Sequence, residues 1–278
     1  MGMVGKGSNW KEIPEALWEE IAPLLPPPPV HLPQHGGRPR VCRRQVLTKI
    51  LYVLRTGAQW NALDMLPGPS SSTAHRYYQD WIAAGVFQRL WTRALEVYDT
   101  VAGIVWEWLV VDGSLGKAPL NGEKTGPNPT DRAKSGVKRS VLTDGRGVPV
   151  GLALAGANRP DFQLLEETVA SIPVPRPQPT EAAPVHLCAD KGYDYPTVEA
   201  FVVQEGFTPH IPQRGTTPQA QPRDPEKRPR RWVVERTHHW LHQWRHVFLR
   251  WHRKAANYLA ALQFAAAVIA FRAAGVLG

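Results

Sequence analysis

The chain has 278 residues, 43% of them hydrophobic, so it is long and apolar enough to build a folded core, which excludes a disordered tail. Its formal net charge of +9 favours a polyanionic partner, because Lys and Arg that neutralise phosphates release condensed counterions. Eleven Trp beside 33 Lys and Arg point to nucleic acid, since indoles stack on bases, with a basic ribosome-associated or membrane-surface protein as the rival interpretation.

Two cysteines, Cys42 and Cys188, are too few and too far apart in sequence to predict a disulfide framework or a zinc site, so we expect a cytoplasmic protein. The first ten residues contain no apolar run of signal-peptide length. Residues 258–270 are apolar, but Gln263 interrupts them, and they fall short of the roughly 20 residues that a membrane span needs. We predict a buried core helix there and no membrane partner.

The first hundred residues predict an all-α domain. The apolar periodicity favours helices over residues 14–25, from Arg43 to near Gly57, and over residues 73–83 and 87–99. A Pro-Gly-Pro break and a serine cap precede the third of these helices, which is the outline of a helix-turn-helix unit. Its polar side, which we expect to face DNA, carries His75, Arg76, Tyr78 and Gln79.

A basic arm precedes this unit. Residues 36–40 contain two glycines, Arg38 and Arg40, and such an arm can reach a DNA backbone or a minor groove. A solvated linker is an equally good interpretation of the same residues.

Residues 101–278 predict an α/β domain. Strands are expected over residues 104–111, 138–142, 148–154, 185–189 and 207–211, with helices over 161–170 and 196–204. Two of the buried strands end on an acid, Asp112 and Asp190. If these strands are parallel neighbours, their carboxyl ends meet and the two side chains lie side by side.

A helix over residues 230–252 carries one acid, Glu235, among cations and indoles, with Val234, Leu241 and Phe248 expected to turn inward. In one interpretation Glu235 pairs with Arg231 or His239 across a turn, which contributes only about 0.3 to 0.5 kcal/mol. In the other it joins Asp112 and Asp190 to hold hard divalent cations through oxygen ligands.

Two such ions about 3.5 to 4 Å apart can activate a water or a 3′ hydroxyl and stabilise the leaving oxygen of an in-line displacement. A second kind of metal site is also conceivable on the same helix. His238, His242 and His246 recur every fourth residue and could bind a transition metal, although histidines in a basic helix more often face solvent or phosphate.

Five segments in a fixed order resemble the motifs of DDE transposases of bacterial insertion sequences, most nearly insertion sequence family five. They are residues 111–114 (VDGS), 126–132 (GPNPTDR), 156–161 (GANRPD), 188–194 (CADKGYD) and 231–237 (RWVVERT). The resemblance extends over nearly the whole chain. Relatives with a Tyr-x-x-Arg-x-x-x-Glu motif followed by Lys have Arg228 and His242 here in place of the Tyr and the Lys, and the position of Ala133 more often holds Gly.

The resemblance implies an RNase H-like mixed sheet flanked by helices, behind a helical DNA-binding domain. It implies that Asp112, Asp190 and Glu235 are the catalytic, metal-binding residues, with Mg²⁺ as cofactor and Mn²⁺ as a substitute in a two-metal mechanism. Supporting roles fall to Asn158, Asp161 and Lys191. Contacts to the phosphates of the element's ends fall to Arg231 and Arg236. We also expect His239 and His242, on the same basic helix, to contact DNA, and a position of His242 in solvent is the alternative.

The expected function is a DNA transposase that binds terminal inverted repeats in double-stranded DNA, cuts them and transfers the strands into target DNA. A homo-oligomer, expected to be a dimer, follows from the need to bring two ends together. Two rivals stay open at this point: a catalytically idle DNA-binding regulator, and another RNase H-like nuclease that acts on RNA hybrids or junctions.

Overall fold

The computed structural model describes residues 12–27, 41–215 and 230–277, and the predicted arm with Arg38 and Arg40 lies outside these ranges. Its α-helices, in chain order, are α1 (Glu15–Ile21), α2 (Arg43–Thr56), α3 (Ser71–Ala83), α4 (Val86–Ala102), α5 (Leu165–Ala170), α6 (Pro196–Gln204), α7 (Trp232–His242), α8 (Arg245–Phe248) and α9 (Ala255–Ala273). Short 3₁₀ helices occupy Ala22–Leu24, Trp60–Met65, Asp161–Leu164 and Lys191–Tyr193.

The strands form one mixed sheet. They are β1 (Trp108–Lys117), β2 (Gly126–Pro127), β3 (Ser135–Thr143), β4 (Pro149–Gly156), β5 (Val185–Cys188) and β6 (Phe207–His210). β1, β3 and β4 pair antiparallel, whereas β5 pairs parallel with β1, and β6 pairs parallel with β5. The order β4-β3-β1-β5-β6, three antiparallel strands followed by two parallel ones, is the RNase H-like arrangement, which confirms the predicted fold class.

Helices cover the sheet on both faces, and its strands are therefore buried. All but the first residue of β3 are buried, which is the pattern of a central strand with neighbours on both edges and cover on both faces. α5 packs against β3 and β4, while α7 packs against β1 and β3.

The C-terminal helix α9 joins the two halves of the protein. It packs against α4 and β4, and most of its residues are buried. By length and composition alone it could cross a membrane, but 78% of its most apolar window is buried inside the protein, so the prediction of a core helix is confirmed.

The N-terminal helices are organised around a buried cation. Lys49 is 5% exposed and donates hydrogen bonds to the backbone carbonyls of Leu63 and Leu66, at 2.8 and 3.2 Å, and to that of Pro69. These carbonyls lie in the connection between α2 and α3, so one side chain holds the connection in place. The Ser70 hydroxyl accepts from Thr73 N at 3.3 Å and caps α3 as predicted.

Three expectations about these elements were wrong. Tyr78 is fully buried and its hydroxyl donates to Asn257 O at 2.7 Å, so it does not belong to the exposed side of α3. The predicted helix over residues 230–252 is broken after His242, and this break changes the helical phase. Phe248 is therefore 46% exposed, although Val234 and Leu241 are buried as expected.

The third error concerns the end of the first strand. β1 continues through Asp112 to Lys117, because its antiparallel pairing with β3 extends that far. Only the parallel pairing with β5 stops early, at Val110. Asp112 therefore lies within a strand, but beyond the end of the parallel ladder.

Candidate active site

The two predicted aspartates come from neighbouring parallel strands. Val110 of β1 is paired with Cys188 of β5, and Asp112 and Asp190 each follow two residues later. Each carboxylate is oriented by a nearby amide: Asp112 Oδ1 accepts from Gly113 N at 2.9 Å, and Asp190 Oδ1 accepts from Gly192 N at 2.8 Å. The sheet topology therefore brings these two acids to one edge, as the strand pattern predicted.

The electrostatic environment of Asp112 is unusual for a surface acid. The pKa of its carboxyl is raised to about 6, mainly by burial and also by the negative charges of Asp190 and Asp161, while Gly113 N–H and Arg231 act in the opposite direction. The charges of Asp161 and Asp190 therefore act on Asp112, which places the three acids in one electrostatic neighbourhood. A carboxyl group with a raised pKa in such a cluster is typical of functional sites.

Asp161 packs against Gly113 of β1. Its Oδ2 accepts from the buried Lys138 Nζ at 2.9 Å, whereas its Oδ1 is buried without a hydrogen-bond partner. A Cβ on Gly113 would lie 1.7 Å from this Oδ1, so the close approach of Asp161 depends on a glycine beside Asp112.

Glu235 does not join the aspartates in this conformation. Its side chain is 57% exposed, and its Oε1 lies 3.4 Å from Arg231 Nη2, which is the i,i+4 pair of the first interpretation above. Arg231 also lowers the pKa of Asp112, so its guanidinium lies near both acids. Within the described residues, no three His, Cys, Asp or Glu side chains are close enough to hold a metal ion.

His238 of α7 faces Asp112. Its Nε2 lies 3.9 Å from Asp112 Oδ2, and the side chain is buried. The pKa of His238 is lowered to about 3, mainly by burial and also by Arg139 and His242, so the ring is neutral at pH 7 and the contact is not an ion pair.

His242 faces a buried arginine of β3. Its Nε2 lies 2.9 Å from Arg139 Nη2, and Arg139 also donates to Ser114 Oγ at 3.1 Å and Val247 O at 2.6 Å. Because arginine only donates, His242 Nε2 is the acceptor. Burial and the nearby Arg139 lower the pKa of His242 to about 4, so it is neutral at pH 7.

The remaining predicted residues are dispersed around this centre. Asn158 is exposed at the end of β4, where its Oδ1 lies close to the backbone of Gly126 and Gly156, and the Lys191 side chain is exposed beside Asp190. On α7, His239 is exposed. Arg236 lies 4.9 and 4.8 Å from the ring centres of Trp232 and Trp240 and donates to Arg146 O at 2.6 Å.

The predicted DNA-facing side of α3 is partly exposed. His75 and Arg76 are exposed, whereas Gln79 is half-buried and its Nε2 lacks a hydrogen-bond partner. The edge of the His75 ring packs on Trp60 with 4.9 Å between ring centres, so this side chain is held in place.

The sequence interpretation assigned no role at this site to Gly113, Lys138 and Arg139, and it suggested His238 only as a ligand of a transition metal. Lys138 and Arg139 carried a signal, because two adjacent cations in a predicted buried strand need partners. Gly113 lies in the first of the five motifs and His238 directly follows the fifth, but only the fold reveals what each contacts.

The donor chemistry fits a hard divalent cation at the two aspartates. Both offer carboxylate oxygens, and the buried polar atoms without partners in their neighbourhood include Asp161 Oδ1 and His238 Nε2. Glu235 could complete the set only by leaving Arg231 and turning toward Asp112.

Comparison with known proteins gives matches along most of the chain. The family model described as "Transposase DDE domain" matches residues 107–269, and the one described as "Putative transposase of IS4/5 family" matches residues 13–91. A relative from Burkholderia cepacia, "Putative transposase for insertion sequence element IS402", is 37% identical over 52% of this chain and 68% of its own length. A second from the same organism, "Insertion element IS402 uncharacterized 16.2 kDa protein", is 39% identical over 42% of this chain and 80% of its own length.

A solved structure, "Crystal structure of the Mos1 Strand Transfer Complex", is similar at 13% identity, with a TM-score of 0.27 over 84% of this chain and 78% of the other. A TM-score this low does not establish a common fold, which rests here on the strand order. The family model that includes all three acids covers more than half of the chain. The chain therefore belongs to the DDE transposase family, and its activity is that of a DNA transposase.

Proposed function

We propose that this transposase binds the terminal inverted repeats of its insertion sequence as double-stranded DNA, cuts the strands there and joins them to target DNA. The observation that carries this proposal is the position of Asp112 and Asp190 just beyond the end of the parallel β1–β5 ladder, with the carboxyl pKa of Asp112 raised to about 6. Family membership supports the reaction class, and the cluster supports the residues that carry it.

Asp112 and Asp190 would hold Mg²⁺, or Mn²⁺ in its place, with Glu235 as the third carboxylate. The bound ions, two in this proposal, would supply charge stabilisation at the phosphate and a deprotonated water or 3′ hydroxyl. Gly113 N–H and Gly192 N–H orient the two aspartates, and Lys138 restrains Asp161 beside them. Asn158 and Lys191 are assigned supporting roles at the rim of this site.

Arg231 has a double role in this proposal. In the protein without DNA its guanidinium compensates Glu235 and Asp112. A phosphate of the transposon end would offer it an alternative anion, and release from Glu235 would free that carboxylate to turn toward the aspartates. The pair is half-exposed, so its separation costs about 1 kcal/mol or less.

DNA binding is assigned to α3 and to the exposed surface of α7. His75, Arg76 and Gln79 would lie along the major groove, and His239 would face phosphates. Arg236 already binds Arg146 O, so its proposed contribution to DNA binding comes from the charge between Trp232 and Trp240. His242 Nε2 accepts a hydrogen bond from Arg139, so only Nδ1 of this ring is left to contact a phosphate.

Two ends must be held together for transposition, and we therefore propose a homodimer on DNA. Its place of action would be the cytoplasm, at the bacterial nucleoid. Analytical ultracentrifugation with and without end DNA measures this assembly, and a complex with one protein chain per two ends would contradict it.

The proposed function is tested with the DNA that flanks the coding region as substrate. Asp190→Asn and Glu235→Gln should bind the ends as the wild type does, while Mg²⁺-dependent cleavage falls about 10³-fold or more, because several kcal/mol of charge stabilisation are lost. Glu199→Gln, an exposed acid on α6, serves as the control. Wild-type nicking by either site variant would contradict the assignment, and equal cleavage of RNA hybrids would favour a different nuclease.

A further inference from the structure

His238 is a buried polar residue whose Nε2 has no hydrogen-bond partner. The side chain is 7% exposed and lies on the face of α7 that packs on the sheet. A buried ring nitrogen without a partner is unfavourable, so a native protein that keeps one generally uses it.

Among the groups that face the His238 ring, one hydrogen-bond acceptor is available. Arg139 has donors only, and His242 Nε2 already accepts from Arg139. Asp112 Oδ2 lies 3.9 Å from His238 Nε2 and, unlike Oδ1, has no bond to an amide N–H. A hydrogen bond of about 2.8 to 3.0 Å requires a shift of roughly 1 Å, which a small rotation of the carboxylate provides while Oδ1 stays near Gly113 N–H.

The position of His238 on α7 also relates its contact with Asp112 to Glu235. Glu235 precedes His238 by three residues, so both project from neighbouring points on one helix surface. Thr237 Oγ1 donates to Gly147 O at 2.6 Å and Arg236 donates to Arg146 O, so this turn of α7 is docked on the β3–β4 hairpin. The same turn of α7 therefore carries Glu235, the third acid, and His238, which faces Asp112.

We propose that His238 is a positioning residue: its Nε2–H donates a hydrogen bond to Asp112 Oδ2 and holds this carboxylate in the orientation in which it binds a divalent cation. The inference rests on the proposed function, because it takes Asp112 as a metal ligand. The ring transfers no proton in this role and does not contact DNA.

The test measures Mn²⁺ binding to the full chain by electron paramagnetic resonance titration, together with the Mn²⁺ dependence of end cleavage. His238→Phe keeps a ring of similar size without the donor, and His238→Gln restores an N–H near the position of Nε2. His246→Phe is the matched control, since His246 is equally buried but contacts His252 and Ala58. Circular dichroism verifies that each variant is folded.

We expect His238→Phe to raise the Kd for Mn²⁺ about 10-fold, within the range found when groups that orient metal ligands are removed. The Mn²⁺ concentration for half-maximal cleavage should rise in parallel, whereas kcat at saturating Mn²⁺ and affinity for end DNA should change little. His238→Gln should return the Kd to within about threefold of the wild type, and His246→Phe should leave it unchanged.

Two results would overturn this inference but leave the proposed function intact. One is wild-type Mn²⁺ affinity in His238→Phe, and the other is an equal loss of Mn²⁺ affinity in His238→Phe and His246→Phe. Failure of the proposed function looks different. In that case the wild type binds no Mn²⁺, or Asp112→Asn binds it as tightly as the wild type does, and the inference falls together with the metal assignment.

Discussion

At the scale of single residues, the site depends on close approaches that one added methyl group would prevent. Asp161 packs against Gly113, the neighbour of Asp112 in the chain, only because Gly113 has no side chain, and Lys138 then holds Asp161 in place. A glycine inside a strand often marks such an approach by another group.

We expect Gly113→Ala to reduce end cleavage by at least about 10-fold, because the new Cβ would lie 1.7 Å from Asp161 Oδ1 and force this side chain away from Lys138. Gel-shift and cleavage assays measure binding and chemistry separately, and binding should be retained. Gly116→Ala is the control on the same strand, since its Cβ would meet Val137 Cγ1 at 3.3 Å and needs only a small adjustment. Equal activity of the two variants would contradict this account.

Ala133 shows a different kind of residue effect. Its φ of 57° lies in the left-handed region, where an L side chain is strained and glycine is not. We predict that Ala133→Gly increases the free energy of unfolding by about 1 kcal/mol, measured by urea denaturation. Ala200→Gly, at an exposed position within α6, should lower it by about the same amount. A loss of stability in both variants would show that Ala133 is not strained.

At the scale of secondary-structure elements, α7 links the β3–β4 hairpin to β1, the strand that carries Asp112. Its contacts to Gly147, Asp112 and Arg139 follow one another along the helix. The chain then breaks and enters α8, whose position depends on Arg139, because this side chain donates to Val247 O. The element that carries Glu235 is therefore fixed by the sheet rather than by its own helical propensity.

The segment that follows α7 contains a pH-sensitive pair. His246 Nδ1 and His252 Nε2 lie 3.2 Å apart and both rings are buried. Burial lowers the pKa of His246 to about 4 and that of His252 to about 3, and for His252 the nearby Arg250 and His75 act in the same direction. Both rings are therefore neutral in the folded protein at pH 7.

The sign of the pH effect follows from these lowered pKa values. The unfolded chain binds protons at these rings near pH 6.5, before the folded protein does, so stability is complete above about pH 7 and is lost as the pH falls toward 4. We predict that each of these two rings contributes about 2 kcal/mol to the loss between pH 7 and pH 5, measured by urea denaturation. His252→Phe should show a smaller loss and His239→Phe, which removes an exposed ring, the wild-type loss. The same loss in all three proteins would contradict the prediction.

At the scale of the whole molecule, one continuous hydrophobic core runs from Ile13 to Leu277. The predicted domains, residues 1–100 and 101–278, meet along α4 and α9, and hydrogen bonds cross between them. Trp91 Nε1 donates to Pro149 O at 3.1 Å, and the Tyr78 hydroxyl donates to Asn257 O. The domain boundary stays a prediction, but the shared core favours unfolding as a single unit.

We therefore expect one cooperative unfolding transition, with far-ultraviolet circular dichroism and tryptophan fluorescence reporting the same midpoint. Phe264→Ala should destabilise this transition by about 3 to 5 kcal/mol, because its ring is fully buried between Phe87 and Trp244. Phe248→Ala, which removes a ring that is 46% exposed, should have a much smaller effect. Two separate transitions, with only one moved by Phe264→Ala, would contradict the shared core.

The local pattern of the chain determined most of the secondary structure. The ends of α2, α3 and α6 were predicted to within about two residues, because apolar periodicity, a serine cap and a glycine stop are all local signals. The adjacency of Asp112 and Asp190 was also predictable, since it requires only that two buried strands run parallel.

Only the tertiary structure decided what surrounds those two aspartates. Arg139 meets His242 across 103 positions of sequence, and Asp161 meets Lys138 across 23, so no local pattern could pair them. The break after His242 and the conformation of Glu235 depend in the same way on distant partners. The sequence by itself therefore determined which acids and which fold this transposase has, whereas long-range packing decided how the acids are oriented, because orientation is set by contacts that form only when the chain is folded.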